Sequence, residues 1–166
     1  MTIGREQRAA LTEIVAILAP CSDRAQLSLA RALDDTSKVP TPAEALSDAL
    51  EGTLENDIGR VMAGFDWKAE ALEIRESLST LATFPQGFSW EWYDWSELDD
   101  EDDDLWDPDD RNDFLRSLGR HSFELGFALI GLDGADWFSL GFVKAEKFQR
   151  LQDVARKART SLNPCY

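Results

Sequence analysis

The segment FELGFALIGLDGADWFSLGFV, residues 123–143, decides the predicted fold. Residues 123–132 and 137–143 are two apolar, strand-like runs separated by Asp133-Gly134-Ala135-Asp136. An Asp-Gly pair between two apolar runs is a strong signal for a tight turn, so the segment predicts an antiparallel hairpin. Phe138, Leu140 and Phe142 share one face of the second strand.

A third strand is predicted upstream of the hairpin, at residues 88–93. Phe88, Trp90 and Trp92 alternate with smaller or polar positions, and a period of two places these three rings on one face of a strand. Large aromatic side chains favour such half-buried, pleated surfaces. We therefore expect this strand to join the hairpin in a small antiparallel sheet.

The rest of the chain predicts helices. The clearest start is Thr41-Pro42-Ala43-Glu44, where Thr41 is the cap and Glu44 its reciprocal partner in a capping box. A fourth helix is expected through Leu54, Ile58, Val61, Met62 and Phe65. Asp66 can cap a fifth, whose apolar residues at 67, 71, 74, 78 and 81 form a narrow seam.

Two further helices are expected near the hairpin. One runs from about Pro108 to Leu118 and ends at Gly119, and the other covers about residues 145–160. The fold class is therefore α+β in a single domain, residues 1–166. Its helical N-terminal half (1–84) packs on a small antiparallel sheet with a C-terminal hairpin and closing helix (85–166).

Acidic residues are concentrated after the predicted aromatic strand. Between Glu91 and Asp113 stand 13 of the chain's 32 acids, against Arg111 as the single base. Asp107-Pro108 predicts a helix start, which gives Asp107 and nearby acids a structural role. Residues 99–104, called the acidic run below, are six consecutive acids without an apolar residue, and they have no such structural role. They predict either a solvated loop or a negative surface that docks a basic partner.

Tryptophans on both sides of this run favour the docking interpretation, because indoles are enriched at binding hot spots. Carboxylates would steer and pair with Lys or Arg side chains of the partner. We therefore predict a partner-binding set of eight residues: Trp95, Asp99, Asp100, Glu101, Asp102, Asp103, Asp104 and Trp106. The same acids could instead fold back onto the bases of the last helix, at residues 144, 147, 150, 156, 157 and 159.

The composition excludes several classes of partner. The net charge of −15 and a sequence pI near 4.3 argue against binding to nucleic acid or to an anionic membrane. No segment is apolar for long enough to span a bilayer, and no signal-peptide pattern precedes the first helix. We expect a cytoplasmic protein in which Cys21 and Cys165 are free thiols, although a disulfide between them stays open.

The sequence predicts a binding protein rather than an enzyme, with no cofactor. His121 is the only histidine, so no histidine-based metal triad is possible; neither cysteine stands in a metal-ligand spacing, and no phosphate-binding loop occurs. Pairing of a cysteine with His121, or a hydrolase that uses Glu91 and Asp94, has no motif support. Weak association of Ca²⁺ or Mg²⁺ with residues 99–104 stays open. A regulatory or scaffold domain that binds its partner along the seam of Trp67 is the remaining alternative.

Residues 88–95 (FSWEWYDW) and the hairpin with its closing helix resemble small uncharacterised bacterial domains. More broadly they resemble the small acidic immunity proteins that accompany secreted bacterial toxins. The resemblance covers roughly the second half of the chain and follows element order rather than a diagnostic motif, so no family residue is carried over. It implies a non-enzymatic cytoplasmic protein that binds and blocks a cognate toxin.

Overall fold

The computed structural model of the chain describes residues 2–52, 59–96 and 107–164. Within these ranges the helices are α1 (Arg5–Leu18), α2 (Asp23–Asp34), α3 (Pro42–Leu50), α4 (Ala71–Leu78), α5 (Pro108–Glu124) and α6 (Ala145–Lys157). The strands are β1 (Met62–Asp66), β2 (Phe127–Asp133), β3 (Trp137–Lys144) and β4 (Asn163–Pro164). This is the predicted α+β class, with a C-terminal hairpin and a closing helix.

The predicted hairpin is confirmed as β2 and β3, the centre of an antiparallel sheet in the order β1-β3-β2-β4. The N–H of Gly134 donates to the carbonyl of Trp137 (2.8 Å) and closes the turn. Gly141 allows β1 to approach β3, because a Cβ at this position would lie 2.7 Å from the Val61 carbonyl oxygen. A glycine inside a strand here has a packing role.

Side chains alternate across the sheet and divide the core into two layers. Ala128, Ile130, Leu132 and Val143 pack against α1, α2, α3 and α6 on one face. Phe138, Leu140 and Phe142 point to the other face, where they meet α4, α5 and the aromatic residues of the 84–95 segment. The shared face of these β3 residues is as the sequence predicts. Trp95, four residues before Asp99, packs on this second face.

The prediction of a strand at residues 88–93 is wrong. This segment forms turns, and the third large strand of the sheet is β1, which the sequence assigns to a fourth helix. The first half of that expected helix lies outside the described residues. The sequence misleads because Met62, Ala63 and Phe65 are all buried, so β1 lacks the clean alternation of a half-exposed strand. The aromatic rings of 88–95 bury themselves against one another instead of joining the sheet.

Two predicted helix boundaries are also wrong. The helix that begins at Pro108 continues through a buried Gly119 to Glu124, so the first hairpin strand begins at Phe127 rather than at residue 123. Gly126, whose φ is 85°, follows the C-cap of this helix and has the terminating role that the sequence assigns to Gly119. The fifth helix is shorter than predicted, since α4 begins at Ala71 and leaves Trp67 outside it.

Candidate functional site

An aromatic cluster lies on the second face of the sheet, directly before the acidic run. Its members are Phe84, Phe88, Trp90, Trp92, Tyr93, Trp95 and Phe114. Neighbouring rings lie close together, at centroid separations of 4.8 Å for Phe88–Trp90, 4.7 Å for Tyr93–Trp95 and 4.9 Å for Tyr93–Phe114. Edge-to-face pairs of this kind stabilise by about 0.5–1.5 kcal/mol each beyond their buried area. The segment of residues 84–95 is therefore held in place by contacts between its aromatic rings and with Phe114.

Trp95, next to the last described residue of this segment, is fixed in place. Its Nε1–H donates to the Trp90 carbonyl (2.8 Å), and its ring is half-buried against Tyr93 and Phe114. The guanidinium of Arg75 in α4 lies over the indole, 4.6 Å from the ring centroid. Trp95 is thus a rigid anchor on which the acidic run begins.

The other end of the acidic run is fixed at the start of α5. The Asp107 carboxylate caps the helix by accepting a hydrogen bond from the Asp109 N–H (2.8 Å), as the sequence predicts. Phe114, two turns further along, contacts Trp92, Tyr93 and Trp95. The described residues on both sides of the acidic run therefore lead into one aromatic cluster. Seven of the eight predicted partner-binding residues lie between these ends, outside the described residues: Asp99, Asp100, Glu101, Asp102, Asp103, Asp104 and Trp106.

Several bases near the cluster are already in contact with rings. Besides Arg75, the Arg111 guanidinium lies over Phe138 at 5.3 Å and donates to the Trp67 carbonyl. Lys68 lies over Trp67 at 5.0 Å. Cation–π contacts of this kind contribute about 0.5–1 kcal/mol at exposed sites. The sequence pattern indicates the acids of this region but gives no sign of the stacking of Arg75 on Trp95.

The bases of α6 lie elsewhere. This helix packs on α1 and on the opposite face of the sheet from the aromatic cluster. Arg150 pairs with Glu13 of α1 (2.8 Å), and Arg156 pairs with Asp153 of its own helix. Part of the positive charge to which the acidic run could fold back is thus neutralised locally.

His121 lies inside α5, not after a helix as the sequence suggests. Its imidazole stacks on Trp92, with centroids 5.0 Å apart, and its Nδ1 lies 3.8 Å from a Glu124 carboxylate oxygen. The Trp92 Nε1 is buried and has no hydrogen-bond partner within residues 2–52, 59–96 and 107–164. Cys21, exposed between α1 and α2, is on the layer opposite His121, so these two residues are not brought together. Cys165 lies outside the described residues.

The two acids named for a hydrolase do not form a catalytic pair. Glu91 and Asp94 are exposed in the turns of the aromatic segment. The Asp94 carboxylate accepts hydrogen bonds from the Ser96 hydroxyl (2.6 Å) and from the Ser96 N–H (3.0 Å). These two bonds, the hydroxyl more than the N–H, lower the pKa of Asp94 below its usual value. This is a local turn, in which the serine stabilises the ionised form.

A second acid-lined surface lies beside β1, and the sequence gives no signal for it. A cavity of about 590 Å³ is lined by the two bases Lys38 and Arg60 and by five acids: Glu44, Asp48, Glu51, Asp66 and Asp136. Ser139 of β3, 0% exposed, donates to the Glu51 carboxylate below this cavity. Over the described ranges, no group of three or more His, Cys, Asp or Glu residues is arranged to hold a metal ion. The acids of this surface therefore do not define a metal centre.

The seam predicted as a possible groove is part of the core. Ala71, Ile74 and Leu78 of α4 are buried against the second face of the sheet. Trp67, 47% exposed, lies apart from them. The helix face that a partner would need is therefore already covered. None of the helices in the described ranges has both the length and the apolar character to cross a membrane.

A protein-family model matches residues 10–164, nearly the whole chain. The chain belongs to this family, described as a domain of unknown function (DUF6630). The matched residues include both anchors of the acidic run, Trp95 and Asp107. No curated protein and no solved structure matches the chain.

Proposed function

We propose that this chain is a non-enzymatic binding protein that docks a positively charged protein on its acidic run. The observation that carries the proposal is that the described residues on both sides of the run lead into one aromatic cluster. Trp95 is held by a hydrogen bond and by ring contacts, and Asp107 begins the helix that carries Phe114. The residues that flank the run are thus held on one face of the molecule, and a docking surface is favoured by such rigid support.

The contacts of the local bases support an external partner. Arg75, Arg111 and Lys68 lie over aromatic rings, and α6 lies on the other face of the sheet. Residue 101 is six residues from each anchor, Trp95 and Asp107, so it lies at most about 22 Å from them. The outer surface of α6 lies beyond the sheet and a helix layer about 10–12 Å thick. A contact with that surface would require a nearly extended run that passes around the sheet, so we propose that the charge meets another molecule.

We further propose that the partner is a bacterial toxin and that binding blocks it in the cytoplasm, as the resemblance to immunity proteins implies. An acidic inhibitor suits a toxin whose own active site attracts an anion such as nucleic acid. Carboxylates would speed association and set its salt dependence, while the indoles would anchor the complex.

An enzyme is the weaker interpretation. The acid-lined cavity beside β1 is the feature that would favour it, but Ser139 is fully buried beneath Glu51 and cannot reach a substrate. His121, stacked on Trp92, and the turn acid Asp94 lie away from this cavity. Among the described residues, the side chains that could act as nucleophile, base or acid are therefore not assembled in one place.

A growth assay with two triple variants of equal charge tests the function. One variant replaces Asp102, Asp103 and Asp104 with Asn, and its control replaces the exposed Glu6, Asp48 and Glu146 with Gln, Asn and Gln. Each protein is co-expressed with the products of the genes that adjoin its own. We expect one of these products to arrest growth, and we expect the wild type and the control to restore it.

The acidic-run variant should fail to restore growth. If no adjoining product arrests growth, the toxin assignment is wrong. If both triple variants restore growth equally, the acidic run is not the docking surface. Circular dichroism of the purified variants shows whether either failure comes from misfolding.

A further inference from the structure

We propose that a cavity between the start of α1 and the end of α6 binds a small phosphate-bearing molecule. The cavity has a volume of about 650 Å³, within the range of small-molecule sites. Three basic residues line it: Arg5, Lys157 and Arg159. This site is separate from the acidic run and does not depend on the proposed function.

The local charge at this cavity is opposite to that of the molecule. Glu6 is the only acid among the lining residues that the structure describes, whereas the whole chain has 32 acids and 17 bases. Across the described residues, no ion pair is formed by Arg5, Lys157 or Arg159, so their charges remain available at the cavity. The gathering of three available bases at one cavity, beside a single lining acid, is the feature that fits an external anion.

Local helix electrostatics explains only part of this arrangement. Lys157 and Arg159 lie at the C-terminal end of α6, where the macrodipole favours cations by about 0.3–1 kcal/mol each. Arg5 is the first residue of α1, where the same effect disfavours a cation. The helix macrodipole therefore does not favour a base at Arg5, whereas an anionic ligand in the cavity would.

The remaining lining fits an organic phosphate. The forked guanidinium groups of Arg5 and Arg159 match phosphate oxygens in two-bond contacts, and Lys157 adds a point charge. Gln7 of α1 donates to the carbonyl of Ala158 just after α6 (2.8 Å), which holds the two sides of the cavity together. The apolar side chains of Ile3, Val39 and Pro40 offer a surface for the rest of the ligand.

Calorimetric titration with inorganic pyrophosphate tests the proposal. Arg5→Gln and Arg159→Asn remove two of the bases, and Asn tolerates the positive φ of 55° at residue 159. Arg31→Gln, on the exposed side of α2, is a control with the same change in net charge. We expect the wild type and the control to bind alike, and each cavity variant to bind at least about threefold more weakly.

The overall charge of −15 repels anions, so binding cannot come from general attraction. The proposal is overturned if the wild type gives no binding heat up to about 10 mM pyrophosphate. It is also overturned if the control loses affinity as much as the cavity variants. Sulfate or acetate binding as tightly as pyrophosphate would contradict the assignment to phosphate.

Discussion

Replacement of Phe114 by Ala tests whether the aromatic cluster holds the acidic run. Phe114 is 3% exposed and contacts Trp92, Tyr93 and Trp95 from α5. Removal of a buried phenylalanine ring costs about 3–5 kcal/mol, and here it also separates the two anchors of the run. We expect a loss of about 4 kcal/mol in the free energy of unfolding. With a urea slope of about 2 kcal/mol/M, the unfolding midpoint should fall by about 2 M.

Phe123→Ala is the matched control, because Phe123 lies on the same helix and is 48% exposed. It should cost less than about 1 kcal/mol. Tryptophan fluorescence and far-ultraviolet circular dichroism, followed together in urea, measure both variants. Equal costs for the two variants, or a loss below about 1.5 kcal/mol for Phe114→Ala, would refute the role given to the cluster. If Phe114→Ala does not fold, Phe114→Leu provides the same comparison at a smaller cost.

Three further changes test other parts of the structure. Gly141→Ala should destabilise by about 2–3 kcal/mol in urea unfolding, because its Cβ would meet the Val61 carbonyl oxygen at 2.7 Å; a neutral result would contradict the close strand approach. The N–H of Thr41 donates to Glu44 (2.7 Å) and lowers the pKa of that carboxyl below its usual 4.5. The ionised Glu44 carboxylate therefore stabilises the folded state above pH 4.5, and this stabilisation is lost as the pH falls further and the carboxylate is protonated. The difference in the free energy of unfolding between the wild type and Glu44→Gln should shrink between pH 7 and pH 3. Arg75→Ala should cost about 0.5–1 kcal/mol and change the tryptophan emission, whereas Arg31→Ala should do neither.

Local sequence signals predict the hairpin and the helix starts correctly. Asp133-Gly134 between apolar runs specifies a tight turn, and Thr41 and Asp107 are followed by proline and by acids that complete their caps. These features depend on residues within a few positions of each other, which the sequence displays directly. The α+β class follows from their order.

The identity of the third large strand depends on distant contacts. Phe88, Trp90 and Trp92 have the alternation of a strand, and they do turn to the same core, but their rings pack with one another and with Phe114 instead of pairing with β3. β1 is short and buried on both faces at its start, so its pattern does not distinguish a strand from a helix.

The candidate site is predictable only in part. The acids of the run are visible in the sequence, and the helix cap at Asp107 is as predicted. Arg75 and Phe114 come to Trp95 from α4 and α5, and no spacing in the sequence indicates that these helices meet there. The site is built by tertiary packing rather than by a local motif.

Fluorescence titration with a ten-residue lysine peptide at low salt tests the central claim most directly. The two triple variants have the same net charge and differ only in where three acids are removed: residues 102–104 or Glu6, Asp48 and Glu146. If the anchored run is the docking surface, loss of its acids should weaken binding about tenfold, while the control should stay within about twofold of the wild type. Equal affinities of the two variants would contradict the claim.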